Sequence, residues 1–198
     1  MRSWIPGIAA VLALLIGGPA EAADNRVALV VGNASYRHAA ALPTPANDAE
    51  DIAATLTRIG FDVDLQKDTS AEALKSALGA FAVKSAKADV AIVYFAGYSV
   101  NAGIDGYLIP VDAQLASASS FRTEAIPLRA VMADVARARL LGLLILDALR
   151  GNPFPAKFER QDAGQDSNAS AGTAASFKNV LVFFATEPTR KAEEGDGR

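Results

Sequence analysis

Apolar and polar positions along the chain fall into two rhythms that take turns. Arg26-Val-Ala-Leu-Val-Val-Gly32 is a continuous apolar run with β-branched residues, the pattern of a strand buried on both faces. After a loop holding two prolines, the period changes. Ile52, Leu56 and Ile59 fall at i, i+4 and i+7, one face of a helix expected to open at Asn47, with Glu50 three residues on as a variant capping box, and to stop at Gly60. Phe61 to Gln66 alternates and predicts an edge-like second strand. Thr69 and Glu72 form another capping box, and Leu74, Leu78 and Phe81 make the stripe of a second helix. Asp89 to Gly97 is a third strand, again apolar throughout.

The same alternation runs on to the end. Tyr107 to Val111 reads as a short extended piece in which Pro110 forbids a central strand position. Pro127 opens a third helix with Leu128, Val131 and Val135 on its core face. Leu141 to Leu146 is a fourth strand and Asn179 to Ala185 a fifth. The stretch between them, residues 155–176, is rich in Ala, Ser, Gly, Asp and Gln and reads as a flexible linker. There are no internal repeats. Strands alternating with helices predict an α/β fold: a mostly parallel central sheet with helices on both faces. In such folds ligands bind beyond the carboxyl ends of the strands. Three exits therefore matter: Gly32-Asn33-Ala34, Ala96-Gly97-Tyr98-Ser99 and Asp147-Ala148-Leu149-Arg150.

Composition narrows the chemistry at those exits. The chain has 198 residues, 51% of them hydrophobic and 21% charged, enough for one core. Net charge is −3 and no long basic run occurs, which argues against nucleic acid as a partner. There is no cysteine, so disulfides, zinc-thiolate sites and cysteine nucleophiles are excluded within the chain. His38 is the one histidine, so a poly-histidine metal site cannot form and a Ser-His-Asp triad would have to use it. No cofactor or metal is expected.

The exits themselves are ambiguous residue by residue. Gly32-Asn33 lacks a G-x-G-x-x-G pattern and reads as a tight turn rather than a phosphate site. His38, on a loop, reads as a surface histidine. Ser99 follows Tyr98, but a tyrosine of pKa about 10 is a poor base for activating a hydroxyl. Asp48, in the first helical turn, suits the helix dipole. Asp147 at a strand end accepts bonds from turn amides. Together the two carboxylates would make an acidic pocket for an Arg or Lys side chain.

Taken in order, "RVALVVGNASY", "LPTPANDAEDIAATLTRIGFDV", "ADVAIVYFAG", "GYLIPVDA", "ILDALRGNPF" and "VLVFFATEP" resemble the caspase and metacaspase peptidases, specifically bacterial members, from about Arg26 to Glu187. The resemblance implies a caspase-like three-layer α/β/α sandwich. It implies that the family's catalytic histidine position is Tyr98 here, that Ser99 stands for the following glycine, and that the cysteine nucleophile position is Leu149. Leucine supplies neither thiolate nor lone pair, so no acyl intermediate can form on it. The family's pocket for a substrate Arg or Lys maps to Asp48 and Asp147, both retained. The implied function is a caspase-family protein, catalytically inactive, that binds or scaffolds peptides carrying Arg or Lys. The alternatives are a hydrolase cleaving after Arg or Lys through Ser99 or through a complementing chain, and a structural remnant without a ligand. Calcium dependence, known in some of the family, has no dedicated acidic cluster here.

The ends of the chain shape the remaining expectations. Arg2, the apolar run Ile8 to Ile16 and Ala20-Glu21-Ala22 read as a secretory leader over 1–22, cut after Ala22, with export to a periplasm or beyond the cell and no stable membrane span afterwards. An uncleaved anchor is the alternative, though the run is short for a span. The large-subunit-like domain is placed at 24–154. Residues 177–198 hold the fifth strand and a charged tail, the start of a small-subunit-like region whose last strand and helix have no counterpart before Arg198. Either the sequence is a piece of a longer chain, or the sheet edge is completed by a partner or a second copy; an uncovered edge invites association.

Overall fold

The computed structural model describes residues 25–102, 105–117, 119–148 and 177–185; the leader, the 155–176 linker, most of the charged tail and Leu149 lie outside the described residues. β1 (Arg26–Gly32), α1 (Pro45–Arg58), β2 (Asp62–Lys67), α2 (Ala71–Ser85) and β3 (Val90–Ala96) follow one another as the change of period predicts. Then come β4 (Ser99–Ala102), β5 (Asp105–Leu108), the single turn α3 (Phe121–Glu124), β6 (Ile126–Pro127), α4 (Leu128–Val135), β7 (Leu141–Asp147) and β8 (Val180–Phe184).

Five strands make one sheet in the order β2-β1-β3-β7-β8, every neighbouring pair parallel. Because side chains alternate across a strand, each rung of this register belongs to one face. Val63-Ala28-Ile92-Leu143-Leu181 and Leu65-Val30-Tyr94-Ile145-Phe183 are two rungs of the first face. α1 packs on the β2-β1-β3 side of that face through Ala49, Ala53 and Leu56. The rungs of the other face run through Leu29-Val93-Leu144 and Val31-Phe95-Leu146, under Leu74 and Phe81 of α2 and Val131 and Val135 of α4. Helices on both faces of a parallel sheet give the expected three-layer α/β sandwich. β1 and β3 are buried beyond their first residue. Burial thins towards β8, where Leu181 and Phe183 are 60% and 59% exposed. Among the described residues no helix is long and apolar enough to cross a membrane.

Several details differ from expectation. α1 opens at Pro45 rather than Asn47, because a proline needs no hydrogen-bond acceptor in a first turn. Glu50 then lies inside the helix and pairs with Lys67 instead of capping. α2 is capped by Ser70, whose hydroxyl accepts from the Ala73 amide at 3.2 Å, not by Thr69. Ile59, expected on the core face, is 52% exposed, since it sits past the last helical turn as the C-cap. The antiparallel sheet β4-β5-β6 has no counterpart in the sequence reading beyond the extended piece near Tyr107.

Candidate functional site at the carboxyl ends of the strands

Gly32, Ala96 and Asp147 stand on one rung, the last of the three central strands. With strands about 4.8 Å apart, Gly32 and Asp147 are separated by two spacings, roughly 10 Å. The three exits picked from the sequence therefore do meet at one rim. The Asn33 amide donates to the Ala96 carbonyl at 2.9 Å and the Gly97 amide to the Asp147 carbonyl at 3.4 Å, so the rung is continued by the first residues beyond the strands.

The first exit is built for close packing. A Cβ on Gly32 would stand 2.3 Å from the Pro45 carbonyl oxygen and 2.7 Å from the Ala49 Cβ, so only glycine lets the start of α1 come down onto β1. This places Asp48, half-exposed in the first turn of α1, above the end of β1. Asn33, fully buried, ties the rim together. Its Nδ2 donates to the Ile109 carbonyl at 3.3 Å, and its Oδ1 accepts from the Thr69 amide at 2.9 Å and the Thr69 hydroxyl at 3.0 Å. The next two amides, of Ala34 and Ser35, both donate to Asp68 Oδ1 at 2.8 Å. Amides of the kind that cradle a phosphate are here taken by the protein's own carboxylate. Partial burial pushes the Asp68 carboxyl up, but the bonds from Ser35 and Ala34 outweigh it and hold it below its ordinary value.

The second exit carries the position of greatest interest. Gly97 has φ of +150°, a region that L side chains avoid, and a Cβ there would stand 2.6 Å from the Tyr36 hydroxyl. The turn sends Tyr98 into a hydrophobic cluster with Tyr36, Leu42, Val100, Ile109 and Val111. Tyr98 is 6% exposed and meets Tyr36 edge to face at 4.7 Å between ring centres. The Tyr98 amide donates to the Tyr36 hydroxyl at 2.8 Å, and that hydroxyl donates in turn to the Ile109 carbonyl at 3.1 Å. Burial pushes the Tyr36 phenol far above its ordinary value, with the bond from the Tyr98 amide opposing, so it remains a neutral donor at any physiological pH.

Ser99 begins β4, and its hydroxyl donates to the Ala148 carbonyl, linking the second exit to the third. A carbonyl cannot take the proton of an attacking hydroxyl, so this geometry does not activate Ser99. Asp147 closes β7 half-buried at the rim. Leu149, two residues on, lies outside the described residues. His38 is exposed. Among the described residues no three His, Asp or Glu side chains converge as metal ligands would. What the rim offers is carboxylates and carbonyls that accept hydrogen bonds, with no nucleophile and base in contact among the described residues.

Sequence reasoning passed over Asn33 as a site organiser, and missed Asp68, Tyr36 and Asp112, whose Oδ1 accepts from the Ala71 amide at 2.8 Å at the start of α2. A polar residue placed just after an apolar strand run, as Asn33 is, was the available signal.

Comparison with known proteins agrees with this architecture. The crystal structure of a Geobacter sulfurreducens protein superimposes with a TM-score of 0.60 at 15% identity, over 87% of this chain and 77% of that one, a likeness of fold alone. No curated protein sequence matches the chain. The family model for the caspase domain matches residues 25–198, and the chain belongs to the caspase-domain family.

Proposed function

We propose that this caspase-domain protein is a pseudo-peptidase: its acidic rim binds peptide segments carrying Arg or Lys and does not cleave them. The observation that carries the reading is the loss of both halves of the chemistry. The chain has no cysteine anywhere, and the residue at the family's histidine position, Tyr98, is buried against Tyr36. Peptide cleavage by this family needs a thiolate to attack and an imidazole to protonate the leaving amine. What remains is Asp147 at the end of the central rung and Asp48 over β1, the positions that the family resemblance assigns to holding a basic side chain. A guanidinium bridging two carboxylates is the strong, charge-assisted form of hydrogen bonding. The leader pattern over 1–22 supports action after export, in a periplasm or outside the cell.

Hydrolysis through Ser99 is the weaker reading, since its hydroxyl is committed to the Ala148 carbonyl. Calorimetric titration with an Arg-containing peptide tests the proposal, beside a fluorogenic Arg-peptide assay. The expected result is binding without turnover, weakened at least about tenfold by Asp147→Ala, which removes one of the two carboxylates that hold the basic side chain. Turnover, absence of binding, or equal binding by the variant would overturn it.

A further inference from the structure

The two ends of the central strands differ in charge. The carboxyl ends form the acidic rim. At the amino ends, Arg26, Val90 and Leu141 stand on the first rung of β1, β3 and β7, and the helices that run back from the rim finish beside them. Arg26 Nη1 donates to the Ile59 carbonyl just past α1, and Asn25 Nδ2 donates to the Lys87 carbonyl just past α2. The Leu140 amide, between α4 and β7, donates to the Asp89 carbonyl at 2.9 Å.

Positive side chains outnumber negative ones at this end. Its carboxylates are each met by a basic group: Asp62 by Lys84 at 2.8 Å, Asp89 by Arg139 at 2.6 Å and Asp134 by Arg137 at 3.5 Å. Arg58, Lys87 and Lys178 are exposed besides, and pair with no carboxylate among the described residues. The negative ends of the helix dipoles account for a basic residue in a last turn, such as Arg58. They do not account for Lys178, which leads into β8, nor for apolar side chains left in water among the charges. Leu140, Val83 in the last turn of α2, and Ile59 are 65%, 62% and 52% exposed.

We propose that this end of the molecule docks on a lipid bilayer carrying anionic headgroups. The basic side chains meet the phosphates while their stems, with Leu140, Val83 and Ile59, enter the apolar boundary beneath. Two observations favour a bilayer over an acidic protein. The apolar side chains are set apart, one at the end of each of two helices and one before a strand, with charges between them. A protein interface gathers its apolar contacts into a core inside a polar rim, whereas a bilayer takes up each side chain separately. The chain also enters the fold at this end. The Asn25 amide donates to Asp89 Oδ2 at 3.1 Å, and the apolar run that closes at Ile16 is joined to Asn25 by no more than roughly 30 Å of extended chain. Docking this way turns the acidic rim to the aqueous side, about 20 Å off along the strands. The inference does not rest on what that rim binds.

The absence of cysteine makes the test direct. Leu140→Cys in the full chain supplies a single thiol for a polarity-sensitive dye. Arg122→Cys, on α3 beyond the carboxyl ends of the strands, supplies the comparison. With vesicles of equimolar phosphatidylcholine and phosphatidylglycerol, the dye at position 140 shifts to the blue and raised salt reverses the shift; the dye at 122 stays as in buffer. Phosphatidylcholine alone gives a clearly smaller shift at 140. Adding Arg58→Gln, Lys87→Gln and Lys178→Gln raises the lipid needed for half the shift at least about tenfold, since each basic residue near such a surface is worth about fivefold. Its circular dichroism matches that of the parent. Arg37→Gln with Arg122→Gln, which removes charge at the other end, leaves the lipid requirement unmoved. No shift at 140, a triple variant that binds like its parent, an equal shift of the dye at 122, or a shift produced only by an added acidic protein would each overturn the proposal. Equal shifts on the two kinds of vesicle would overturn it too, and would assign the contact to the apolar run near the start of the chain.

Discussion

At the scale of single residues, the rim is held by side chains that serve the backbone. Tyr36 gives one hydroxyl to two jobs, accepting from the Tyr98 amide and donating to the Ile109 carbonyl, both out of reach of water. Leaving either group unpaired would cost about 1–3 kcal/mol. Asp68 does similar work at the first exit with a charge. Its carboxylate takes two amides and the Ser35 hydroxyl. Desolvation raises its pKa and those bonds lower it by more, for a net depression. A depressed carboxylate contributes stability that is complete above its unfolded value, about 3.9, and is lost as the pH falls through the folded value. Asp68→Asn keeps an acceptor and removes the charge. We expect denaturant midpoints of wild type and variant to differ by a constant amount from pH 7 to about 5 and to converge below about pH 4. Because Asp68 is exposed and solvent-screened, the gap at neutral pH is no more than about 1 kcal/mol. A gap that is the same at pH 3 and pH 7 would assign the effect to shape rather than to charge.

At the scale of elements, adjacent residues divide the labour at the start of α2. Ser70 caps the helix locally, whereas the Thr69 hydroxyl reaches back to buried Asn33. Ser70→Ala should cost about 1 kcal/mol, the ordinary worth of a cap. Thr69→Val should cost more, about 1–3 kcal/mol, because it strips a bond from a fully buried polar side chain. Urea midpoints of the two variants rank them, and a larger loss at Ser70 would refute the assignment. The same pair shows what was legible beforehand. A capping box at Thr69 and Glu72 and a cap at Ser70 differ by one residue, and local spacing does not separate them; the deciding partner, Asn33, is 36 residues away. The apolar runs of β1 and β3 were readable because strands buried on both faces need no alternation; β7 is as apolar in sequence although its burial alternates. The β4-β5 hairpin was not, since Ser99-Val-Asn-Ala and Asp-Gly-Tyr-Leu carry little strand pattern of their own. Their order comes from packing Val100, Leu108 and Tyr107 against residues distant in sequence. At the rim, Asp48 and Asp147 could be singled out as candidates from the helix start and the strand end, but the inward turn of Tyr98 could not be foreseen. Its direction is set by Gly97 at φ of +150° and by the Tyr36 ring, neither of which sequence spacing reveals.

At the scale of the whole molecule, the first edge of the central sheet is guarded by charge. β2 carries Asp62 and Asp64 on the face of α2, with Asp62 paired to Lys84, and the Lys67–Glu50 pair on the face of α1. Charged edge strands resist pairing with another chain. Removing the acidic residues from β2 should therefore promote association and leave the fold intact. Asp62→Val with Asp64→Val deletes one exposed ion pair, worth about 1 kcal/mol at most, and puts β-branched apolar side chains on an edge strand that already shows Leu65, 37% exposed. Static light scattering of this variant should give a mean mass that climbs with concentration more steeply than that of the wild type. Equal curves for the two proteins would mean that the carboxylates do not guard that edge, and that its shape alone does.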